Sequence, residues 1–250
     1  MTGETCAPAL GDLGGMPFLD DGFASRRLLA IIAAIRHGAA ERLGLAGGLS
    51  RQQAEAWLAP ARAYLVNAGP TPMPAQPLRA ARRGQITDTL AALAAGMSAW
   101  APLLSLPVRY ARLCPDGGAI SASSRDWPQH VLLADDAFAT DAELREQLVH
   151  ELSHQWLYLI EDIWPLDAPC AARLTLPSGT TGRAPAEVLG AAHVAAALTR
   201  MYATVGGPGA ESRISALTAY GRGCLDLAQE ASTDLTEAGT MIAQRLKEAL

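Results

Sequence analysis

Basic residues are few in this sequence, and neither end of the chain carries a basic tail. The 20 lysine and arginine residues face 25 aspartate and glutamate residues, which gives a net charge of −5. Lys247 is the single lysine. Because a nucleic-acid partner usually requires a basic face, this balance argues against a protein that binds DNA or RNA.

Cysteine is also scarce, and its spacing excludes the common cysteine motifs. The four cysteines are Cys6, Cys114, Cys170 and Cys224, and no two of them form a CxxC pair. A zinc ribbon or a thioredoxin-like redox site is therefore not expected. The sequence predicts reduced thiols that are buried or half-buried, as in a cytosolic protein.

The sequence shows no long apolar run. No run reaches the roughly 20 residues that a membrane-spanning helix needs. The N-terminal stretch MTGETCAPALGDLGG is polar and glycine-rich, and it lacks the basic start of a secretory signal. We therefore expect a cytoplasmic protein with no membrane partner.

The apolar residues that are present predict one large core. They make up 50% of the chain, and their spacing is mostly helical, with a β-rich stretch in the middle. The expected fold class is α+β, predominantly helical, with a small sheet of about three strands, of which HVLLA is the clearest and a possible edge strand for an extended substrate. The predicted parts are a flexible lead over 1–17 and a single domain over 18–250, which is helical over 18–100, β-rich over 104–135, metal-binding over 140–204 and helical again over 210–250.

An HExxH pattern, His150-Glu151-Leu152-Ser153-His154, lies within a predicted helix that begins after Thr140. Residues four apart lie one turn apart on the same helix face, so His150 and His154 can both offer an imidazole nitrogen to one metal ion. Glu151 is rotated from His150 by about 100° and borders this site. In a zinc peptidase, a glutamate at this position takes a proton from the metal-bound water.

A metal site with two histidines needs a third protein ligand. The next predicted helix offers His193 and Glu187, whose directions on a helix differ by about 120°, so both are not expected to bind the same ion. The sequence favours His193 and keeps Glu187 as the alternative, since Glu187 in the first turn can simply favour the helix dipole. Arg183, just before this helix, either clamps a ligand carboxylate as a bidentate fork or is a solvent-exposed arginine.

The segment 149–204 carries more than the bare motif. HELSHQWLYLIEDIWPLD, LPSGTTGRAP and EVLGAAHVAAALTRMY together resemble a bacterial family of HEXXH-containing proteins associated with ribosomally made peptide natural products. Some members of that family are 2-oxoglutarate-dependent peptide β-hydroxylases. The resemblance implies that His150 and His154 are iron ligands, that Glu151 is the motif glutamate and that Arg183 binds 2-oxoglutarate.

The sequence departs from the pattern of that family in three places. It has Pro177-Ser178-Gly179 where the family has Pro-Trp-Arg, and Ala184 separates the arginine and proline that are adjacent in the family. Gly190 stands where a histidine or glutamine follows the leucine. This last departure leaves the third metal ligand open between His193 and Glu187.

Three functions follow as alternatives. The first is an Fe(II)- and 2-oxoglutarate-dependent dioxygenase that hydroxylates the β-carbon of a side chain in a ribosomally made precursor peptide, with a radical-SAM maturase as a possible partner in the same pathway. The second is a zinc metallopeptidase in which Glu151 is the general base. The third is a non-catalytic protein that keeps the fold and binds a peptide. The arginine clamp favours the oxygenase.

Overall fold

A computed structural model of the chain describes residues 10–48, 50–67, 72–115 and 117–250. It is an α+β protein, predominantly helical, with 61% helix. The described residues form nine α-helices and one small mixed sheet of four strands. The predicted fold class is confirmed, with one strand more than the sequence predicts.

The chain divides into two compact units. Unit 1 contains the chain up to Ala24 and the stretch from Ile160 to Leu250, and unit 2 contains Ser25–Leu159. The sequence predicts a single domain over 18–250 because it has no long linker. The division found in the structure needs none: one boundary lies between Ala24 and Ser25, and the other lies near the C-terminal end of the helix that carries the HExxH motif.

Unit 2 begins with helices whose ends are set by local residues. Ser50 and Gln53 form a capping box. The Ser50 side chain accepts a hydrogen bond from the Gln53 backbone N–H, and the Gln53 side chain accepts one from the Ser50 backbone N–H. Ala59 is extended because it precedes Pro60, which ends one helix and begins the next. The α-helices of unit 2 are α1 (Ser25–Arg42), α2 (Arg51–Glu55), α3 (Pro60–Val66), α4 (Ala80–Gly96), α5 (Ala101–Leu104) and α6 (Asp141–Glu161), the last of which runs into unit 1.

The sheet of unit 2 has the order β1-β2-β4-β3. Strands β2 and β4 are parallel, and β1 and β3 pair antiparallel with them at the two edges. HVLLA forms β4 in the interior of the sheet, so its prediction as an edge strand is wrong, although its prediction as a strand is confirmed. The strands are β1 (Ala75–Gln76), β2 (Arg109–Leu113), β3 (Ser121–Ala122) and β4 (His130–Leu133).

Strand β4 is buried on both faces, which explains its continuous apolar run. Val131 and Leu133 pack on one face against Leu148 of α6 and Ile86 of α4. Leu132 lies on the opposite face, in an apolar cluster that includes residues of β1 and β2. The HExxH helix is thereby packed on the sheet through apolar side chains.

Helix α7 (Pro185–Val205) is the core helix of unit 1, together with α8 (Ala210–Glu230) and α9 (Glu237–Ala249). Among the described residues, it is the one helix long and apolar enough to cross a membrane by length and composition, a feature that inspection of the sequence missed. However, 61% of its apolar window is buried inside the protein. Such burial is what the core helix of a soluble protein has.

The N-terminal segment of unit 1 is part of its core. Leu10–Leu13 forms a 3-10 helix, and Leu13, Met16 and Phe18 are all buried, with 1% or less of their surface exposed. The prediction of a flexible lead is therefore wrong for residues 10–17. Residues 1–9 of that lead lie outside the described part of the chain.

The thiols follow the prediction only in part. Cys114, Cys170 and Cys224 are free, as predicted. Cys224 is buried, and this burial raises the pKa of its thiol to about 11. Cys114 is half-buried, but Cys170 is exposed, which the sequence did not predict. Cys6 lies outside the described residues.

Candidate metal site

His150 and His154 lie one turn apart on α6 with their rings side by side. The ring centroids are 5.0 Å apart, and the ring planes meet at 62°. Both residues are half-buried, and 37% of the His150 side chain is exposed. Tyr158, one turn further, stacks on the His154 ring at 5.9 Å. The motif histidines therefore share one partly open helix face, as the sequence predicts.

The position of this helix face is fixed by buried neighbours. Leu148 and Leu152 are fully buried, and the Trp156 indole Nε1 donates to the Leu103 carbonyl oxygen at 3.0 Å. The buried Gln155 amide accepts from the Gln129 backbone N–H at 2.7 Å and donates to the His130 carbonyl oxygen at 3.1 Å. These contacts leave little freedom for α6 to rotate about its axis.

Glu151 is buried beside the two histidines, with 2% of its surface exposed. Its Oε1 lies 4.0 Å from His150 Nε2 and 2.5 Å from the Ser121 hydroxyl on edge strand β3. Ser121 Oγ is also 2.6 Å from Gln147 Oε1, and Gln147 Nε2 donates to Glu143 at 2.7 Å. The carboxylate is thus held against the sheet edge.

The second carboxylate oxygen of Glu151 differs from the first. Oε2 is buried, and no described residue donates a hydrogen bond to it. A buried carboxylate oxygen that accepts no hydrogen bond costs free energy, so this atom is a strong acceptor for a donor brought by a ligand or substrate. This oxygen can therefore accept a proton or a hydrogen bond next to the histidine pair.

The predicted third ligands both have roles within unit 1. His193 is fully buried, and its Nε2 lies 2.8 Å from the Pro17 carbonyl oxygen. Glu187 accepts from the Arg183 guanidinium at 2.7 Å and from the Ala184 backbone N–H at 2.8 Å. Within the described ranges of the chain, no group of three or more His, Cys, Asp and Glu side chains is arranged to hold a metal ion.

The chemistry of the donor set therefore fits a metal ion in part. His150 and His154 are the residues that would hold it, since two imidazoles one turn apart suit both zinc and iron. The identity of the third ligand stays a prediction, with His193 favoured and Glu187 as the alternative.

Arg183 holds a carboxylate, but the carboxylate belongs to its own chain. Its guanidinium binds Glu187 one turn further, and its backbone pairs with Leu174 in both directions, at 2.8 and 3.0 Å. This pairing places the arginine at the start of α7, where the sequence predicts it. Binding of 2-oxoglutarate there stays a prediction; Glu187 contacts one terminal nitrogen of the guanidinium, and Arg183 Nε has no hydrogen-bond partner among the described residues.

The structure brings the predicted residues together in two groups, one in each unit. His150, His154 and Glu151 meet in unit 2, and Arg183 and Glu187 meet in unit 1. Sequence reasoning missed Ser121 and Gln147. Gln147 lies four residues from both Glu143 and Glu151, which is a helical spacing that was readable. No local sequence pattern indicates the contact of Ser121 with Glu151, because the two residues are 30 positions apart.

Comparison with known proteins adds no family assignment. No protein-family model matches the chain, and no curated protein is significantly similar to it. The resemblance of segment 149–204 therefore stays an expectation.

Proposed function

We propose that this chain is a metal-dependent enzyme of the HExxH type that hydroxylates a peptide side chain with Fe(II) and 2-oxoglutarate. The observation that supports a metal-dependent enzyme is the open His150 and His154 pair beside buried Glu151. The choice of hydroxylation rests on the resemblance of segment 149–204. Bound iron would supply the activation of O₂.

The residues of unit 2 have separate tasks in this proposal. His150 and His154 would bind the metal, and Glu151 would accept a hydrogen bond at Oε2. The buried leucines of α6 keep water away from the inner side of the site, which strengthens the electrostatic interactions there.

The peptide substrate is proposed to pair with edge strand β3. An exposed sheet edge can take an extended peptide as an additional strand, with main-chain hydrogen bonds giving affinity. Ser121 belongs to this strand and touches Glu151, so a peptide on β3 would pass beside the histidine pair. A ribosomally made precursor peptide, processed also by a radical-SAM maturase, is the proposed substrate.

A zinc metallopeptidase is the second candidate, and Glu151 is the observation that favours it. Peptide hydrolysis needs a general base beside the metal-bound water, and the buried Oε2 of Glu151 next to His150 suits that role. Hydroxylation with 2-oxoglutarate does not need this base. The effect of Glu151→Gln therefore separates the two reactions.

The first experiment is an anaerobic titration of the full chain with Fe(II) and then 2-oxoglutarate. A charge-transfer band near roughly 500 nm is expected for an iron site of this type. His150→Ala and His154→Ala should abolish the band, whereas Arg145→Ala on the same helix should keep it. Glu151→Gln should also keep it.

The same proteins loaded with zinc test the alternative. If zinc supports cleavage of a peptide library, Glu151→Gln lowers that cleavage by about 10²-fold or more, and no band forms with iron, the peptidase is right. If neither metal binds the wild-type chain in stoichiometric amount, both proposals are wrong and the peptide-binding alternative gains support.

A further inference from the structure

Unit 2 contains a cavity of about 730 Å³ between α3, β1, α4 and β2. This volume lies in the range of roughly 300 to 1,000 Å³ that small-molecule sites have. Most of its wall is apolar, and the motif residues His150, Glu151 and His154 are not among the residues that line it. The cavity is therefore separate from the candidate metal site. The apolar wall includes Met73, Leu78, Ile86, Leu90 and Val108.

One wall of the cavity carries a buried histidine. His130 is only 4% exposed, and its Nδ1 lies 2.9 Å from the Pro128 carbonyl oxygen. This contact places the ring hydrogen on Nδ1 in the neutral ring, so Nε2 is the acceptor that the ring can offer to a ligand. Burial lowers the pKa of His130, and the Arg109 charge lowers it further despite the opposing bond to Pro128, so the ring is neutral at pH 7.

The charged groups of the cavity wall all have one sign. Arg83 and Arg109 line it, and none of the described residues that line it is an aspartate or glutamate. Arg83 also donates to the Leu78 carbonyl oxygen. Within the part of the chain that the structure describes, Arg109 forms no ion pair. A guanidinium beside an apolar cavity is suited to a carboxylate.

We propose that this cavity binds a small organic acid that has an apolar body and a hydroxyl group near its carboxylate. The carboxylate pairs with Arg109, the hydroxyl donates to His130 Nε2 and the apolar body packs against Ile86 and Leu90. In such a ligand the hydroxyl donor lies near the carboxylate, and this matches the His130 acceptor that lies near the Arg109 guanidinium. The inference stands without the proposed function of the HExxH motif.

The test is calorimetric titration of the full chain with three probes of equal chain length, namely 3-hydroxydecanoate, decanoate and 1-decanol. The expected order of affinity is 3-hydroxydecanoate first, decanoate second and decanol last. Arg109→Gln should weaken binding of both acids by roughly three- to tenfold, as expected for a charge-assisted contact at a partly exposed site. Arg112→Gln, on the same strand but paired with Asp135, is the matched control and should bind as the wild type does.

His130→Phe keeps a buried ring and removes the acceptor, so it should remove the preference for the hydroxy acid over decanoate. His154→Ala should leave all three affinities unchanged, which separates this site from the metal site. The proposal is overturned if the wild type binds neither acid, if decanol binds as tightly as the acids, or if Arg109→Gln binds the acids with unchanged affinity. Equal affinity for the two acids in the wild type overturns the role of His130.

Discussion

At the scale of single residues, the arrangement around Glu151 determines what the site can do. One carboxylate oxygen is held by Ser121, and the other is buried without a donor among the described residues. The histidine rings beside it are half-exposed. The site therefore combines two groups that a ligand can reach with one acid that water reaches poorly. That combination fits the proposed metal site, because Glu151 Oε2 can accept a hydrogen bond from a group that a ligand brings.

His193 gives the prediction that belongs to this scale. His193→Ala should lower the free energy of unfolding by about 2–4 kcal/mol, because it leaves a cavity and a Pro17 carbonyl oxygen without its donor. Urea unfolding at neutral pH measures this value. His150→Ala, at a half-exposed position, is the control and should cost less than about 1 kcal/mol.

A different result for His193→Ala would favour the ligand role. If the variant unfolds like the wild type but binds less iron or zinc, His193 acts as a metal ligand and the contact with Pro17 is incidental.

At this scale, the contacts that could be predicted were those between residues close together in the sequence. His150, Glu151 and His154 follow one helical turn, so their proximity was readable. The contact of His193 with Pro17 spans 176 residues, and nothing in the local sequence of either residue indicates it. The neighbours of His193 in LGAAHVAAA do not indicate whether this histidine is buried or binds a metal.

At the scale of elements, the HExxH helix depends on its attachment to β4. Gln155 makes this attachment with both ends of its amide, one to the Gln129 backbone and one to His130. Gln129 has a left-handed backbone with φ of 58°, which non-glycine residues seldom adopt, so its position needs support from its neighbours. The orientation of His154, next in the chain to Gln155, thus depends on this pair of hydrogen bonds.

The prediction for this element is that Gln155→Leu lowers the free energy of unfolding by about 2–3 kcal/mol. The change leaves two buried backbone groups without a partner, at a cost of roughly 1–3 kcal/mol each before relaxation. Chemical unfolding followed by circular dichroism measures the difference. Gln244→Leu, at an exposed position on α9, is the matched control and should stay within about 0.5 kcal/mol of the wild type. Equal stability of the two variants would show that the amide does not support α6.

Element boundaries were predictable where caps set them. Thr140 accepts from the Glu143 backbone N–H at the start of α6, as the capping-box spacing predicts, although the Glu143 side chain turns to Gln147 instead of closing the box. Helix α7 begins at Pro185 and ends before Gly206, which are a proline in the first turn and a glycine just past the last turn. Strand β1 was missed because two residues in a proline-rich segment carry no alternation that could reveal them.

At the scale of the whole molecule, unit 1 is built from both ends of the chain. Asp20 accepts from the Met16 backbone N–H and from two nitrogens of Arg245, at 3.1 and 2.7 Å. Burial by itself raises the pKa of Asp20, but the bonds and charge of Arg245 and the Met16 N–H lower it overall. The ion pair therefore fastens the N-terminal segment to α9.

Asp20→Asn should lower the free energy of unfolding by about 1–2 kcal/mol at pH 7. Because the folded-state pKa is lowered, the contribution of Asp20 is present above the ordinary aspartate pKa of about 3.9 and disappears as the pH falls through the folded value. The difference from the wild type should thus shrink below about pH 4. Unfolding curves at several pH values measure it.

Asp21→Asn is the control for this pair. Its partner is Arg200, and its side chain is 64% exposed, so the cost should be well under 1 kcal/mol. Equal costs for the two variants, or a cost at Asp20 that does not depend on pH, would contradict the role of the pair with Arg245.

The division into two units was not predictable from the sequence. A linker is the usual signal of a boundary, but here one boundary lies at the first residue of α1 and the other lies inside α6. The helical content and the small sheet, in contrast, followed from apolar periodicity because it depends on each segment alone.

The discontinuous make-up of unit 1 has a consequence for its synthesis. During translation, Met16 and Phe18 leave the ribosome before unit 2, but α7, which belongs to the same core, follows only after the whole of unit 2 has been made. Until α7 has been made, these apolar side chains lack their partners from that helix, and chaperones have access to them during this interval.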